Sequence, residues 1–404
     1  MQRILIDGRF VGVGESISRY TLEVVKGVLE LDKVNDYTLL VRPQGKKTAK
    51  EFLSRPERSE VSRDSSLKAQ NDKLPSTHYS LPSNLHLKVL DIPHYSLSEQ
   101  TKLLNYLNQE RFDLVHFTQF NHPTRYRGEF VVCIHDLTLL GHLYRMNPLK
   151  RLGFKEVMKS AAKNSTKIIT ISEYSKRDIV KTYGADPKKI VVTYLAIDEK
   201  YNIKERDKKD EIKEFKQKYG IGGDYILYTG MWKRHKNLVR MLKAFEMFIK
   251  KDNQMQLVLV GKVDKNEPEV ISEIERINKM TEISGQPPVI TTGFVGEEEL
   301  PIAYAGALFY CIPSLSEGFG LPPVEAMACG TPVISAKISA MPEILGDAAM
   351  YFDPYSVEDI EKAMEKLFAD KKLREQLSKK GIEQAKKYDW KTTAKETLEV
   401  YKNI

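Results

Sequence analysis

Cysteine is scarce in this chain. Cys133, Cys311 and Cys329 are three among 404 residues, an odd number without a CxxC pair. Neither a disulfide framework nor a thiolate zinc site is expected, and reduced, buried thiols of a cytosolic protein are. Also lacking is any uncharged apolar run near the ~20 residues that span a bilayer. The opening residues, MQRILIDGRF, read as an immediate strand rather than a basic segment, an apolar stretch and a cleavage site, so no secretion signal is expected. The expected location is cytoplasmic, with peripheral contact on the inner face of a membrane as an open alternative. Acidic excess is missing as well: 63 Lys and Arg against 55 Asp and Glu give a formal net charge of +8, which attracts phosphate on nucleotides, nucleic acid or lipid. No zinc-finger spacing, aromatic RNA-binding signature or basic heptad accompanies the charge, so nucleic acid is not the expected partner.

What the chain does have is length and alternation. Single cores rarely grow past ~250 to 300 residues, so 404 residues imply two domains and a cleft. Apolar runs such as RILID, YTLLV, LVHF, FVVCIHD and KIITIS alternate with amphipathic stretches, and the same rhythm resumes with YILYTG, MQLVLVG, PVITTGF, ALFYCIPS and TPVISA. Repeated strand and helix units of this kind specify α/β domains built on parallel, doubly wound sheets. In the first helical stretch Ile17, Tyr20, Val24, Val28 and Leu31 share one face and are expected to pack on a sheet. The expected organisation is a first α/β domain over 1–198, a charged linker region over 199–222 leading into a short helix, a second α/β domain over 223–385, and a separate helix over 386–404. Residues 43–84 break the rhythm with charged and turn-forming residues and are expected to be an insertion or mobile loop.

The segment SLSEGFGLPPVEAMACGTPVI carries the strongest chemical signal. Gly318 and Gly320 allow close backbone approach to a ligand. Pro322 and Pro323 suit a helix start, and Gly330 marks its end. The helix amino terminus then faces the loop as a site for phosphate. Glu317 and Glu325 bracket it, and a carboxylate accepts two hydroxyl hydrogen bonds, which suits vicinal hydroxyls of a sugar or ribose. Taken singly, Glu317 reads equally as a loop acid and Glu325 as a complement to the helix dipole; the assembled segment reads as function. A second piece, YTGMWKRHKNL, places Lys233, Arg234 and Lys236 after a strand, where α/β proteins bind ligands. In GRFVGVGES, Gly12 and Gly14 form a candidate phosphate-approaching turn. Ile17 stands where a dinucleotide fingerprint needs a small residue, and no acid follows YTLLV for a ribose hydroxyl, so an NAD enzyme is disfavoured.

With these residues in view, the chain resembles glycosyltransferase family 4, retaining transferases of GT-B fold whose signature is this glutamate pair around a Gly-Phe-Gly loop. The resemblance runs over almost the whole chain and is most specific between Gly293 and Asp353. It implies two Rossmann-like domains facing across a cleft, with the last helix crossing back to the first domain. It implies that Glu317 contacts donor-sugar hydroxyls, that backbone at Phe319, Gly320 and Leu321 meets sugar and diphosphate, that Glu325 holds the ribose, and that backbone at Gly293, Phe294 and Val295 reads the base. It further implies that the loop of Gly12 and Gly14 closes over the leaving diphosphate and that His135, in FVVCIHD, touches the donor sugar, with Asp136 behind it. Many members carry an arginine directly after the glycine corresponding to Gly230 and a lysine five positions later. Lys236 matches the lysine, but Met231 stands in the arginine's place, and Lys233 is the expected substitute.

No D-x-D tripeptide occurs, so the metal-holding signature of many other glycosyltransferases is missing and neither metal nor cofactor is expected. The implied reaction moves a hexose from a nucleotide-sugar donor, GDP-mannose or a UDP-hexose, to a hydroxyl of a glycan or lipid-linked acceptor with retention. A nucleotide-sugar epimerase of the same shape and a non-catalytic nucleotide-sugar-binding subunit are the alternatives. The stretch from Arg145 to Lys167 sets Lys150, Arg151, Lys155, Lys159 and Lys163 among Leu149, Leu152, Phe154, Val157 and Met158, a basic amphipathic pattern suited to anionic lipid or to plain core packing.

Overall fold

The structure is a computed structural model that describes residues 1–13, 15–54, 80–138, 140, 147–203, 208–251, 255–262, 264, 267–280 and 285–404. Its first sheet comprises β1 (Arg3–Asp7), β2 (Asp36–Val41), β3 (Leu85–Val89), β4 (Leu114–Phe117), β5 (Phe130–Cys133), β6 (Lys167–Thr170) and β7 (Ile190–Val192). The second comprises β8 (Tyr225–Thr229), β9 (Gln256–Val260), β10 (Val289–Gly293), β11 (Phe309–Ile312), β12 (Val333–Ala336) and β13 (Ala349–Phe352). Every pairing is parallel. Parallel strands are covered on both faces, which is why they read as continuous apolar runs. In β1, Ile4 and Ile6 enter one core while Leu5 enters the opposite one, and in β8 Leu227 points away from Ile226 and Tyr228, as the two-residue period of a strand demands.

The spatial orders are β3-β2-β1-β4-β5-β6-β7 and β10-β9-β8-β11-β12-β13. Chain direction across each sheet therefore reverses between β1 and β4, and between β8 and β11. At such a switch point the loops leaving neighbouring strands diverge to opposite faces and open a crevice at the carboxyl ends. The loops after β8 and β11 hold the Lys233–Lys236 turn and the Glu317–Gly320 segment, and the loop after β1 holds Gly12.

Several expected boundaries shift. The first part of the supposed insertion is ordered: Lys46–Leu53 is a helix with Ala49 and Leu53 buried, residues 55–79 lie outside the described residues, and β3 starts at Leu85. Half of the supposed linker is part of the second domain, because helix Lys209–Tyr219 buries Ile212 and Phe215 in that domain's core together with Tyr201. The last helix begins at Trp390, after Tyr388, whose ring remains in the second core. Helix Trp390–Lys402 then enters the first core through Ala394, Leu398 and Tyr401, with the Tyr401 hydroxyl 2.6 Å from Nδ1 of buried His116. Leu31, expected on the packed face of helix Glu15–Leu31, is exposed, whereas Leu22, Val25 and Leu29 are buried. That helix is sandwiched between the sheet and the last helix, so its apolar arc is wider than a sheet-facing stripe and stops at Leu29. All three cysteines are buried free thiols.

Candidate active site

Three neighbouring strands of the second sheet end in glycines with positive φ: Gly230 after β8, Gly261 after β9 and Gly293 closing β10. The Gly230 amide bonds the Val260 carbonyl at 3.0 Å and the Gly261 amide the Gly293 carbonyl at 2.9 Å. A Cβ on Gly261 would lie 2.0 Å from the Gly230 oxygen, so the backbones approach as only glycine permits. Gly293 lies two strands from β8, roughly 10 Å at ordinary strand spacing. Next to it Phe294 is exposed and Val295 is buried.

The loop after β11 is fixed by its carbonyls. The Glu317 oxygen accepts from the Ala340 amide at 3.4 Å, and the Gly318 oxygen accepts from Ser172 Oγ of the first domain at 2.7 Å. Because peptide planes set each N–H opposite the preceding carbonyl, the amides of Gly318 and Phe319 turn away from these anchors. Together with those of Gly320 and Leu321 they donate no hydrogen bond within the described protein. Helix Leu321–Ala328 follows, with Gly320 as its left-handed cap. Pro322 and Pro323 contribute no N–H, so the donors expected of this helix start reduce to the loop amides and Leu321. The Phe319 ring is buried against Tyr194 and Tyr388, leaving only its backbone for a ligand.

Lys236 and Glu317 meet here. Nζ lies 2.6 Å from Oε1, with side chains 22% and 13% exposed. Both loops are braced: the His235 carbonyl accepts from the Leu315 amide at 2.7 Å, and left-handed Asn237 donates to the carbonyls of Pro313 and Pro354 at 3.0 and 2.8 Å. Lys233 is half-buried, Arg234 and Met231 are exposed, and neither Lys233 nor Arg234 forms an ion pair within the described protein.

Glu325 faces inward from its helix. Burial raises its pKa, opposed by Arg19 and by the hydroxyls of Tyr304 and Tyr201. Tyr304 donates to Oε2 at 2.9 Å. Arg19, from helix Glu15–Leu31, lies 3.9 Å from Oε1 and is ion-paired with Asp198.

The first domain closes on this loop. Asp136 lies against Gly318 so tightly that a Cβ there would come within 2.6 Å of its side chain. Thr138 and Ser316 hydroxyls are 3.3 Å apart. Glu343 accepts from the amides of Glu173 and Tyr174 at 2.7 and 2.8 Å, capping a first-domain helix from the second domain. His135 precedes Asp136. Its Nε2 faces the Thr118 carbonyl at 3.0 Å, and burial lowers its pKa, so the ring is neutral, Nε2 carries the proton and Nδ1 is the acceptor. Gly12, with positive φ, donates its amide to Ser18 Oγ at 3.2 Å and abuts Gly45; Gly14 is outside the described residues.

Glu317, Lys236, Gly318, Phe319, Gly320 and Leu321 therefore share one crevice with the loop of His135. Sequence reasoning passed over Arg19, Ser172, Tyr201, Tyr304 and Ser339, the last of which accepts the Glu317 amide at 3.0 Å. Arg19 and Ser172 act across the domains and Tyr201, Tyr304 and Ser339 within the second, and none of them carries a local signature. Among the described residues no group of three or more His, Cys, Asp or Glu could hold a metal ion, and no helix is long and apolar enough to cross a membrane.

Comparison with known proteins agrees with this geometry. Residues 210–384 match the family described as glycosyl transferases group 1, and residues 61–201 match Glycosyltransferase Family 4. The O-antigen chain mannosyltransferase B of Escherichia coli is 28% identical over 390 residues, covering 96% of this chain and 95% of that protein. The MMP alpha-(1->4)-mannosyltransferase of Mycolicibacterium hassiacum is 28% identical over 254 residues, 62% of this chain and 57% of its own. The crystal structure of Anabaena Alr3699/HepE in complex with UDP and glucose superposes with a TM-score of 0.72 at 15% identity over 100% of both chains, a likeness of fold. With two parallel sheets meeting at their carboxyl edges, the first half matched by Glycosyltransferase Family 4 and the second by glycosyl transferases group 1, the chain is a glycosyltransferase of GT-B fold.

Proposed function

We propose that this enzyme is a retaining mannosyltransferase that moves mannose from GDP-mannose to a hydroxyl of a growing glycan or lipid-linked acceptor without a divalent ion. The Lys236–Glu317 pair carries the reading: a cation and a carboxylate are joined at the switch point, beside unbonded loop amides and under the first-domain loop of His135. The mannosyl donor rests on the names of the relatives, one of them matched along nearly its full length.

Arrival of the donor gives Lys236 a diphosphate to pair with and frees Glu317 for sugar hydroxyls. The bond from the anomeric carbon to the phosphate oxygen breaks, and its electron pair stays on that oxygen. Lys236, Lys233 and the loop amides take up the developing charge, a preorganised stabilisation worth most where water is excluded. The acceptor oxygen attacks the anomeric carbon on the face just vacated and passes its proton to the departing phosphate. The Nδ1 acceptor of His135 holds a donor-sugar hydroxyl, and Glu325 holds the ribose. Closure of the first domain on the Gly318 loop excludes water and brings the acceptor.

The acceptor approaches from a membrane surface in this reading. Helix Pro148–Asn164 exposes Leu149 and Leu152 next to Lys150, Arg151 and Lys155. Phe154 and Met158, first read with that apolar face, are core residues, so the lipid-facing patch is narrower than the sequence pattern.

The direct test incubates the enzyme with GDP-mannose and a panel of UDP-hexoses, with and without mannose-containing acceptors, and follows nucleotide release and anomeric configuration by NMR. Acceptor-dependent release of GDP with a retained linkage is expected. Sugar epimerisation without acceptor, or binding without turnover, overturns the assignment.

A further inference from the structure

Glu325 takes its charge partner from the other domain. Its own domain supplies hydroxyls, those of Tyr304 and Tyr201, with Tyr310 and Cys329 behind them. Among the described residues no Lys or Arg other than Arg19 pairs with it. Arg19 stands one turn into the first-domain helix Glu15–Leu31, its side chain 20% exposed, against 8% for Glu325. Asp198, where the chain passes between domains, ion-pairs with the same guanidinium and also lies 3.6 Å from Lys200. Glu23 follows Arg19 by one helical turn, and burial together with the Asp198 charge raises its pKa to about 7. Lys26 and Arg19 are the cations that oppose that shift.

A carboxylate held out of water needs an opposite charge or it protonates. A protonated carboxyl loses one of the acceptors that two ribose hydroxyls would use. Arg19 is first among the groups that counter burial at Glu325. We propose that Arg19 is a positioning residue for nucleotide recognition: reaching across the cleft, it supplies the positive charge that holds the Glu325 carboxylate in place for the ribose hydroxyls of the donor. The second domain then grips a nucleotide fully only when the first is docked on it, which ties donor affinity to closure. This rests on Glu325 as the ribose carboxylate.

Calorimetric titration with GDP and with UDP, from pH 6 to pH 9, tests the proposal on the full chain, using Arg19→Met, Arg19→Lys, Arg19→Gln and Glu325→Gln. Loss of one charge-supported hydrogen-bonding arrangement is expected to weaken binding of the preferred nucleotide about tenfold in Arg19→Met at pH 7. The defect should deepen toward pH 6 and shrink toward pH 9, because a carboxyl deprived of its cation stays protonated to higher pH. Arg19→Lys should restore most of the affinity. Donor KM should rise with kcat within about twofold of wild type, since uniform binding is lost rather than transition-state binding. Arg19→Gln repeats the neutral test should the methionine variant not fold. Wild-type affinity in the neutral variants, or a loss that is flat with pH and not rescued by lysine, overturns the proposal. Wild-type affinity in Glu325→Gln instead overturns the ribose assignment beneath it, so the two failures are distinguishable.

Discussion

Replacing Lys236 by alanine should damage catalysis at least as much as stability, and only the stability loss should be recoverable at Glu317. The ammonium and the Glu317 carboxylate are 2.6 Å apart, a gross attraction of about 6 kcal/mol at an effective dielectric of ~20. Both groups are largely out of water, so desolvation cancels most of it, and truncation should cost about 1 to 3 kcal/mol, less than for a fully buried pair. Much of that cost is the stranded Glu317 carboxylate. The double variant Lys236→Ala/Glu317→Gln should therefore recover about 1 kcal/mol over Lys236→Ala in urea denaturation. In the proposed turnover the same ammonium would meet charge that builds up only as the diphosphate departs. Loss of one such donor costs about 3 kcal/mol, or ~10²-fold in kcat/KM, and the double variant should not recover it. Nucleotide release at varied donor concentration measures this directly. A Lys236→Ala enzyme within about threefold of wild type would refute leaving-group stabilisation by Lys236. Lys233→Ala should lose less and Arg234→Ala least; a loss at Arg234 with Lys233→Ala intact would show that the arginine missing at Met231 is replaced one residue further on.

Gly318→Ala places a Cβ 2.6 Å from Asp136 and should hold the cleft open, lowering kcat at least tenfold with nearly unchanged thermal stability; small-angle scattering should show the wider form. Turnover should survive EDTA, and complete loss reversed by magnesium would reveal a metal requirement. Flotation with anionic liposomes should recover the protein at low salt, with Leu149→Glu/Leu152→Glu abolishing recovery; absence of wild-type binding at any salt removes the membrane reading. Hydrogen bonding from Arg276 lowers the Glu246 pKa to about 2, so its stabilisation is present above the unfolded carboxyl pKa and fades as pH falls toward 2. Because Arg276 is 46% exposed, the contribution is discounted to about 1 kcal/mol, and the urea midpoints of Glu246→Gln and wild type should converge as pH falls from about 4.5 to about 2.

Local sequence determined what short-range physics controls. Continuous apolar runs made the parallel strands, and Gly318, Gly320, Pro322 and Pro323 determined the loop and helix start that carry Glu317 and Glu325, because backbone freedom and a missing N–H act at the residue itself. The repeated strand and helix rhythm sufficed for two doubly wound domains. Tertiary structure alone decided which loops meet. Lys236 and Glu317 are 81 residues apart and became a pair because β8 and β11 are neighbours at the switch point. Ser172 anchors Gly318 across 146 residues, and Arg19 reaches Glu325 through the docking of two domains; neither carries a local mark of that role. The exposed Leu31 and the buried Phe154 and Met158 teach the same point from the apolar side. Periodicity gives the face of a helix, but what covers that face depends on neighbours distant in the chain, such as helix Trp390–Lys402 on helix Glu15–Leu31.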